Sequence, residues 1–257
     1  MKKILLIIAA IAILTGCGES YKQNKARKAF LLDSLKRVEF IQDSIARAEF
    51  VRDSIEAEQR KAEIIARCSP LFTETKDEFS DRVWVQPKSA PKYTNRNATY
   101  CYFMTVDGVP SNLRFRFQYH SDNWLFIRNM VFNIDGENFR IIPDMETDSG
   151  NGGRIWEWCD EMVHNSSLAD DMEVTKENID IIAKAKAMEV IEKHANSSDG
   201  VEYTEINKAF IAKIAYAKSV KIKMNGSQYY DTRTLSAEEI KSIKDTYEYF
   251  FALGGTL

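Results

Sequence analysis

The chain of 257 residues is poor in the residues that usually announce chemistry. It has three histidines, His120, His164 and His194, too scattered to suggest a metal site, and no H-E-x-x-H pair. Its four cysteines, Cys17, Cys68, Cys101 and Cys159, form no C-x-x-C, which excludes a zinc ribbon and a thioredoxin-like redox motif. There is no G-x-S-x-G, no P-loop and no G-x-G-x-x-G. Gly150-Asn151-Gly152-Gly153 does not lead from a clear strand into a clear helix, so it makes no phosphate cradle. The sequence therefore predicts no catalytic residue, no cofactor and no metal. No excess of basic residues exists either, and a nucleic-acid partner is not expected. Nor is there an apolar run near the roughly 20 residues that a membrane-spanning helix needs.

What is present begins at the amino terminus. Lys2 and Lys3 precede an apolar run, Ile4 to Leu14, with the charge order of a secretory signal. The run closes on Leu14-Thr15-Gly16-Cys17. This stretch resembles the lipobox of bacterial lipoproteins. The resemblance implies cleavage between Gly16 and Cys17, diacylation of the Cys17 sulfur and acylation of its new amino group. One acyl chain gives only marginal membrane binding, and two or more make it stable. Gly18 takes the place where an Asp would retain such a protein at the inner membrane, which leans towards an outer-membrane location. Glu19 alone is too little acidity to argue for the cell surface, so the periplasmic and surface-facing sides both stay open. Removal of residues 1–16 takes two lysines and leaves 33 basic against 38 acidic residues, a balance of −5. With Cys17 lipidated, the other three cysteines cannot all pair, and buried thiols are expected.

Residues 17–69 read as a helical stalk. From Ser20 to Arg67 there is neither Pro nor Gly, and Ala, Glu, Arg, Lys and Gln dominate. Phe30, Phe40 and Phe50 head a ten-residue repeat. Its apolar positions, among them Leu31, Leu35, Val38, Ile41, Ile45, Val51 and Ile55, step by four, three and three. The stripe slides by about 80° per repeat at ~100° per residue. A flat packing face is lost quickly, so the helix is either a spacer or one strand of a tightly left-handed coiled-coil oligomer. Asp33-Ser34-Leu35, Asp43-Ser44-Ile45 and Asp53-Ser54-Ile55 resemble the O-glycosylation sequon on envelope proteins of some gut-dwelling Gram-negative bacteria. That resemblance makes Ser34, Ser44 and Ser54 candidate glycosylation sites; a duplicated helical unit would carry the same triplets by descent.

Residues 70–257 read as an α+β domain, an antiparallel sheet followed by helices packed on one face. Val83-Trp84-Val85 and Thr99–Val106 are strand candidates. Leu113, Phe115, Phe117 and Tyr119 alternate with Arg114, Arg116 and Gln118, a half-buried strand. Trp124 to Ile134 reads as a returning strand with a bulge at Arg128-Asn129. Asp107-Gly108 and Asp135-Gly136 are turns, and Glu137 to Ile142 follows as a strand. Ile155 to Cys159 suits a strand or the start of a helix. Helices are predicted over Thr175–His194 and Thr204–Ala217, a strand over Val220–Met224, and a last helix capped by Ser236 and Glu239 with Ile240, Ile243, Tyr247 and Phe250 inward.

The segments Leu113-Arg114-Phe115, Asp122-Asn123-Trp124-Leu125-Phe126-Ile127, Trp156-Glu157-Trp158 and Tyr229-Tyr230-Asp231 resemble stretches of envelope lipoproteins with no assigned activity, so the resemblance supplies no mechanism. Cys159, Asp160 and His164 lie close in sequence, but on a helix Cys159 would fall off the shared face. Trp124, Trp156 and Trp158 are the candidate ligand-binding residues, since flat aromatic rings beside carboxylates grip sugars; as core residues they would be ordinary. Three readings follow: a lipid-anchored envelope protein whose domain binds or scaffolds, a protein that binds or processes glycan, and a coiled-coil oligomer. The expected partners are membrane lipid through Cys17, a second stalk, and glycan.

Overall fold

The computed structural model describes residues 21–149, 154–165 and 201–257. Cys17 and the predicted helix Thr175–His194 lie outside the described residues. The chain forms two compact units, Met1–Gln59 and Arg60–Leu257. Helix α1 runs from Tyr21 to Cys68. Between Phe30 and Ile55 ten large apolar side chains are exposed, with Phe30, Phe40 and Phe50 at 71%, 74% and 73%. That is the consequence of a stripe that never settles on one face. What supports this stretch is local: Arg37 with Asp33 at 3.0 Å and Arg52 with Glu56 at 3.9 Å, each four residues apart.

The last turns of α1 belong with the second unit. Ile64 and Ile65 pack against its core and Cys68 is fully buried. Arg67 donates to the buried Asp245 at 2.6 Å and also to Glu248.

The second unit is α+β, as the alternating strands and capped helix predict, but it holds two sheets. Strands β1 (Phe72–Lys76), β2 (Arg82–Pro87), β3 (Ala98–Val106), β4 (Val109–Ser121), β7 (Glu146–Ser149) and β8 (Ile155–Met162) make one, in the order β1-β2-β3-β4-β8-β7. The other has the order β11-β10-β5-β6-β9, from β5 (Asn129–Ile134), β6 (Glu137–Ile141), β9 (Glu202–Tyr203), β10 (Val220–Asn225) and β11 (Tyr230–Thr234). Among the described strands all pairings are antiparallel except β6 with β9, and an isolated parallel bridge joins His164 to Asn207. The unit's described residues also form helices α2 (Lys208–Ala215) and α3 (Ala237–Ala252).

The expected strand from Trp124 to Ile134 is corrected. Residues 124–128 are not strand, β5 starts at Asn129 and pairs with β6 and β10, and β4 pairs with β8 instead. The irregularity in pairing lies between Tyr102 and Met104, not at Arg128-Asn129. Both Asp-Gly turns form, each with two left-handed residues: φ is 51° and 78° at Asp107-Gly108, and 51° and 97° at Asp135-Gly136. Ile155–Met162 is strand throughout.

Period-two alternation sends Leu113, Phe115 and Phe117 into the core, where each is fully buried. Phe115 meets Phe132 of the second sheet at 6.3 Å and Phe210 of α2 at 6.4 Å. Helix α3 covers β1 and β3, with Phe250 against Phe103 at 5.5 Å and Tyr249 against Phe72 at 5.0 Å. Its capping box is complete: Glu239 N–H donates to Ser236 Oγ at 3.1 Å, and Ser236 N–H to the Glu239 carboxylate at 2.9 Å. Cys68, Cys101 and Cys159 are buried free thiols, and burial pushes all three above the ordinary thiol range.

Candidate functional site

The six-stranded sheet has its inner face in the core, so its outer face carries the alternate set of side chains. On β4 these are Arg114, Arg116, Gln118 and His120, and on β8 they are Trp156, Trp158 and Asp160. Register places Arg116 opposite Asp160, Gln118 opposite Trp158, and His120 opposite Trp156. Asp160 is the hub. It accepts from Tyr102 Oη at 2.6 Å, Arg114 Nε at 2.6 Å and Arg116 Nη1 at 2.8 Å, and its backbone carbonyl accepts from Arg114 Nη2 at 2.7 Å. Burial and the bond to Asp160 push the Tyr102 phenol above its usual range. The Arg116 guanidinium lies 6.0 Å from the Trp158 ring, and His120 lies 6.4 Å from Trp156. Trp84 of β2 joins the row, 5.7 Å from Tyr102.

Between the two tryptophans, Glu157 points the other way and is fully buried. Its carboxylate accepts three successive backbone N–H groups: Leu125 at 2.7 Å, Phe126 at 3.0 Å and Ile127 at 2.7 Å. Phe126 sits at φ 53°, in the left-handed region that a bulky residue rarely enters. That turn of the backbone aims the three N–H groups at one point, an anion-binding concavity filled here by the protein's own carboxylate. This is why no strand runs through residues 125–127: their donors are spent on a side chain.

The same corner is locked from a second side. Ser227 N–H donates to the Leu125 carbonyl at 3.1 Å, Arg128 N–H to the Asn225 carbonyl at 2.9 Å, and Tyr229 Oη to the Trp124 carbonyl. A Cβ on Gly226 would lie 2.0 Å from the Leu125 carbonyl oxygen, so only glycine fits. On this frame the rings of Trp124 and Phe126 stack, 5.2 Å apart and 10° from parallel. Phe126 is 52% exposed, and Tyr229, which bonds to this corner, is exposed too.

The structure thus divides the three predicted tryptophans. Trp156 and Trp158 share the outer face with Asp160, while Trp124 belongs to the Phe126 corner. Three of the four segments that carry the resemblance converge there through Glu157, residues 125–127 and Tyr229. Asp160 and His164, which would share a face on a helix, are not on one: on β8 Cys159 enters the core and Asp160 the outer face, and His164 lies past the strand in a bridge to Asn207. Among the described residues no three metal-ligating side chains gather. Ser34, Ser44 and Ser54 lie on α1, and the hydroxyls of Ser44 and Ser54 donate to the carbonyls of Phe40 and Phe50 at 2.8 Å.

An open crevice of about 270 Å³ lies beside the start of α3, and three of its charged residues, Lys88, Lys241 and Asp245, have partners. Asp245 takes Arg67 and Lys241, and Lys88 Nζ donates to the Pro70 carbonyl at 2.9 Å. Sequence reasoning weighed Asp160 only with Cys159 and His164, and did not single out Glu157 or Phe126. For Glu157 a signal existed: a carboxylate at a core-facing position of an alternating strand must find partners inside.

No known protein family, curated protein or solved structure matches this chain.

Proposed function

We propose that the chain is a lipid-anchored envelope protein, held in the outer membrane through Cys17, whose α+β domain works by binding. The observation that carries the binding reading is the Trp124–Phe126 corner. A bulky residue in the left-handed region costs of order 1–2 kcal/mol, and here that cost is borne to hold an aromatic ring at the surface rather than in the core. Asp160 and Glu157, beside the two aromatic surfaces, are committed to structural partners, while Glu146 and Asp148 stand exposed across from Trp158 and Trp156. Residues 1–17 support the anchor, through the charge order of the leader and the stretch that ends in Cys17.

Two measurements test this reading. Cells fed labelled palmitate should label the protein, and Cys17→Ala should abolish the label; an unlabelled wild-type protein ends the anchor reading. Phe126→Gly removes the ring and relieves the backbone, so stability should hold or rise by up to about 1 kcal/mol. A loss of more than that in urea denaturation would make the ring a structural element and sink the display reading. The outer-face pair Trp156 and Trp158 favours a second reading, glycan recognition.

A further inference from the structure

Four polar atoms on the outer face are buried and have no hydrogen-bond partner: Arg116 Nε, Gln118 Oε1, His120 Nε2 and Trp156 Nε1. They are neighbours by register, not scattered. Arg116, Gln118 and His120 alternate along β4 and span about 13 Å at ~3.3 Å per residue, and Trp156 lies directly across from His120. Gln118 is only 2% exposed. A buried amide oxygen without a donor is expensive, and native proteins rarely leave several such groups together.

The unmet groups define what would satisfy them. Arg116 Nε–H and Trp156 Nε1–H need acceptors, and Gln118 Oε1 needs a donor. An ionised carboxylate or a doubly charged phosphate accepts only, so it leaves Gln118 unmet. The positive charge of Arg114 and Arg116 is already turned to Asp160, which weakens the demand for an anion. Hydroxyl groups both donate and accept. The half-exposed rings of Trp156 and Trp158 offer flat apolar surface beside these atoms. We infer that the β4–β8 stretch of this face binds a neutral saccharide, its C–H face lying on the indoles and its hydroxyls meeting Arg116, Gln118 and Trp156 after a side-chain shift uncovers these buried atoms. The inference rests on the binding-domain reading above and names the ligand class of one surface.

The test titrates the full chain with cellohexaose, maltohexaose and mannohexaose, with a galacturonic acid hexamer and adenosine as controls, followed by indole fluorescence and calorimetry. At least one neutral hexasaccharide should bind saturably and in preference to both controls. Trp156→Phe, which keeps a ring and deletes the N–H, should weaken it about fivefold to tenfold, as for one lost hydrogen bond. Gln118→Leu should weaken it similarly while leaving stability level or raised, because it removes an unmet polar group. Preferential binding of the charged hexamer or of adenosine, affinity undiminished in both variants, or a marked loss of stability in Gln118→Leu would each overturn the inference. If no hexasaccharide binds while palmitate labels Cys17 and Phe126→Gly stays folded, the anchored binding protein stands and the saccharide falls.

Discussion

Between Phe30 and Ile55 the helix exposes ten large apolar side chains; between Leu113 and Phe117 the strand buries three completely. Apolar content does not separate the two stretches. The difference is the match between the spacing of apolar residues and the geometry of the element. A period of two is the natural period of a strand, so β4 keeps one apolar face over its length. Steps of four, three and three fall short of the ~3.6 residues of a helical turn, so the apolar stripe of α1 winds around the helix. The first arrangement builds a core with distant partners. The second leaves helix formation to composition and to pairs four residues apart, and exposed pairs of that kind contribute only about 0.3–0.5 kcal/mol each.

Breaking each region should expose this contrast. The largest effect is expected from Glu157→Ala. It strands the N–H groups of Leu125, Phe126 and Ile127 around a void, and with roughly 1–3 kcal/mol for each unmet buried donor the loss should be about 4 kcal/mol or enough to unfold the domain. Glu157→Gln, which keeps two polar atoms but turns one into a donor, should fall between. Urea denaturation followed by tryptophan fluorescence measures both. A loss below about 1 kcal/mol for the alanine variant would mean that the corner holds without its carboxylate.

An intermediate effect is expected at high pH. Burial, together with the bond to Asp231 at 3.0 Å, pushes the Tyr119 phenol from 10.0 up to about 12. Its folded value lies above its unfolded one, so its contribution is fully present below pH 10 and is lost as pH rises through about 12. Stability should decline across that window, with a shallower decline in Tyr119→Phe. Absorbance titration of the phenols alongside denaturation at each pH tests it, and an identical decline in the variant would remove Tyr119 from the account.

The smallest effect is expected in the helix. Ile45→Asp should change the stability of the second unit by no more than about 0.5 kcal/mol, as for an exposed position. A change above 1 kcal/mol, or a concentration-dependent unfolding midpoint that the substitution abolishes, would show that the stripe has a partner, and the comparison would then be between two packed regions.

Much of the domain was legible from local pattern. Alternation at Leu113–Tyr119, both Asp-Gly turns, and Ser236 with Glu239 each encode their structure within a few residues, and each forms. The strand expected from Trp124 failed because a competing acceptor, Glu157, takes its backbone donors from 30 residues away in the chain. The short strand β7, and β1 beyond its buried Phe72, carry exposed, polar side chains that no pattern separates from loop. Of the candidate site, the tryptophans could be named in advance. Their division between a sheet face and a corner could not, because alternation tells which side of a strand a residue takes but not which strand lies next to it.

The amino-acid sequence alone determined the elements whose signals are short in range: the long helix with its winding apolar stripe, the hairpin turns, the capped last helix and the inward row of β4. Only the tertiary structure decided the partners. It set β8 beside β4, turned Glu157 inward onto residues 125–127, and gathered Arg116, Gln118, His120 and Trp156 on one face. Strand order and the meeting of a buried carboxylate with three backbone donors depend on contacts between segments far apart in the chain, and those contacts leave no local periodicity to read.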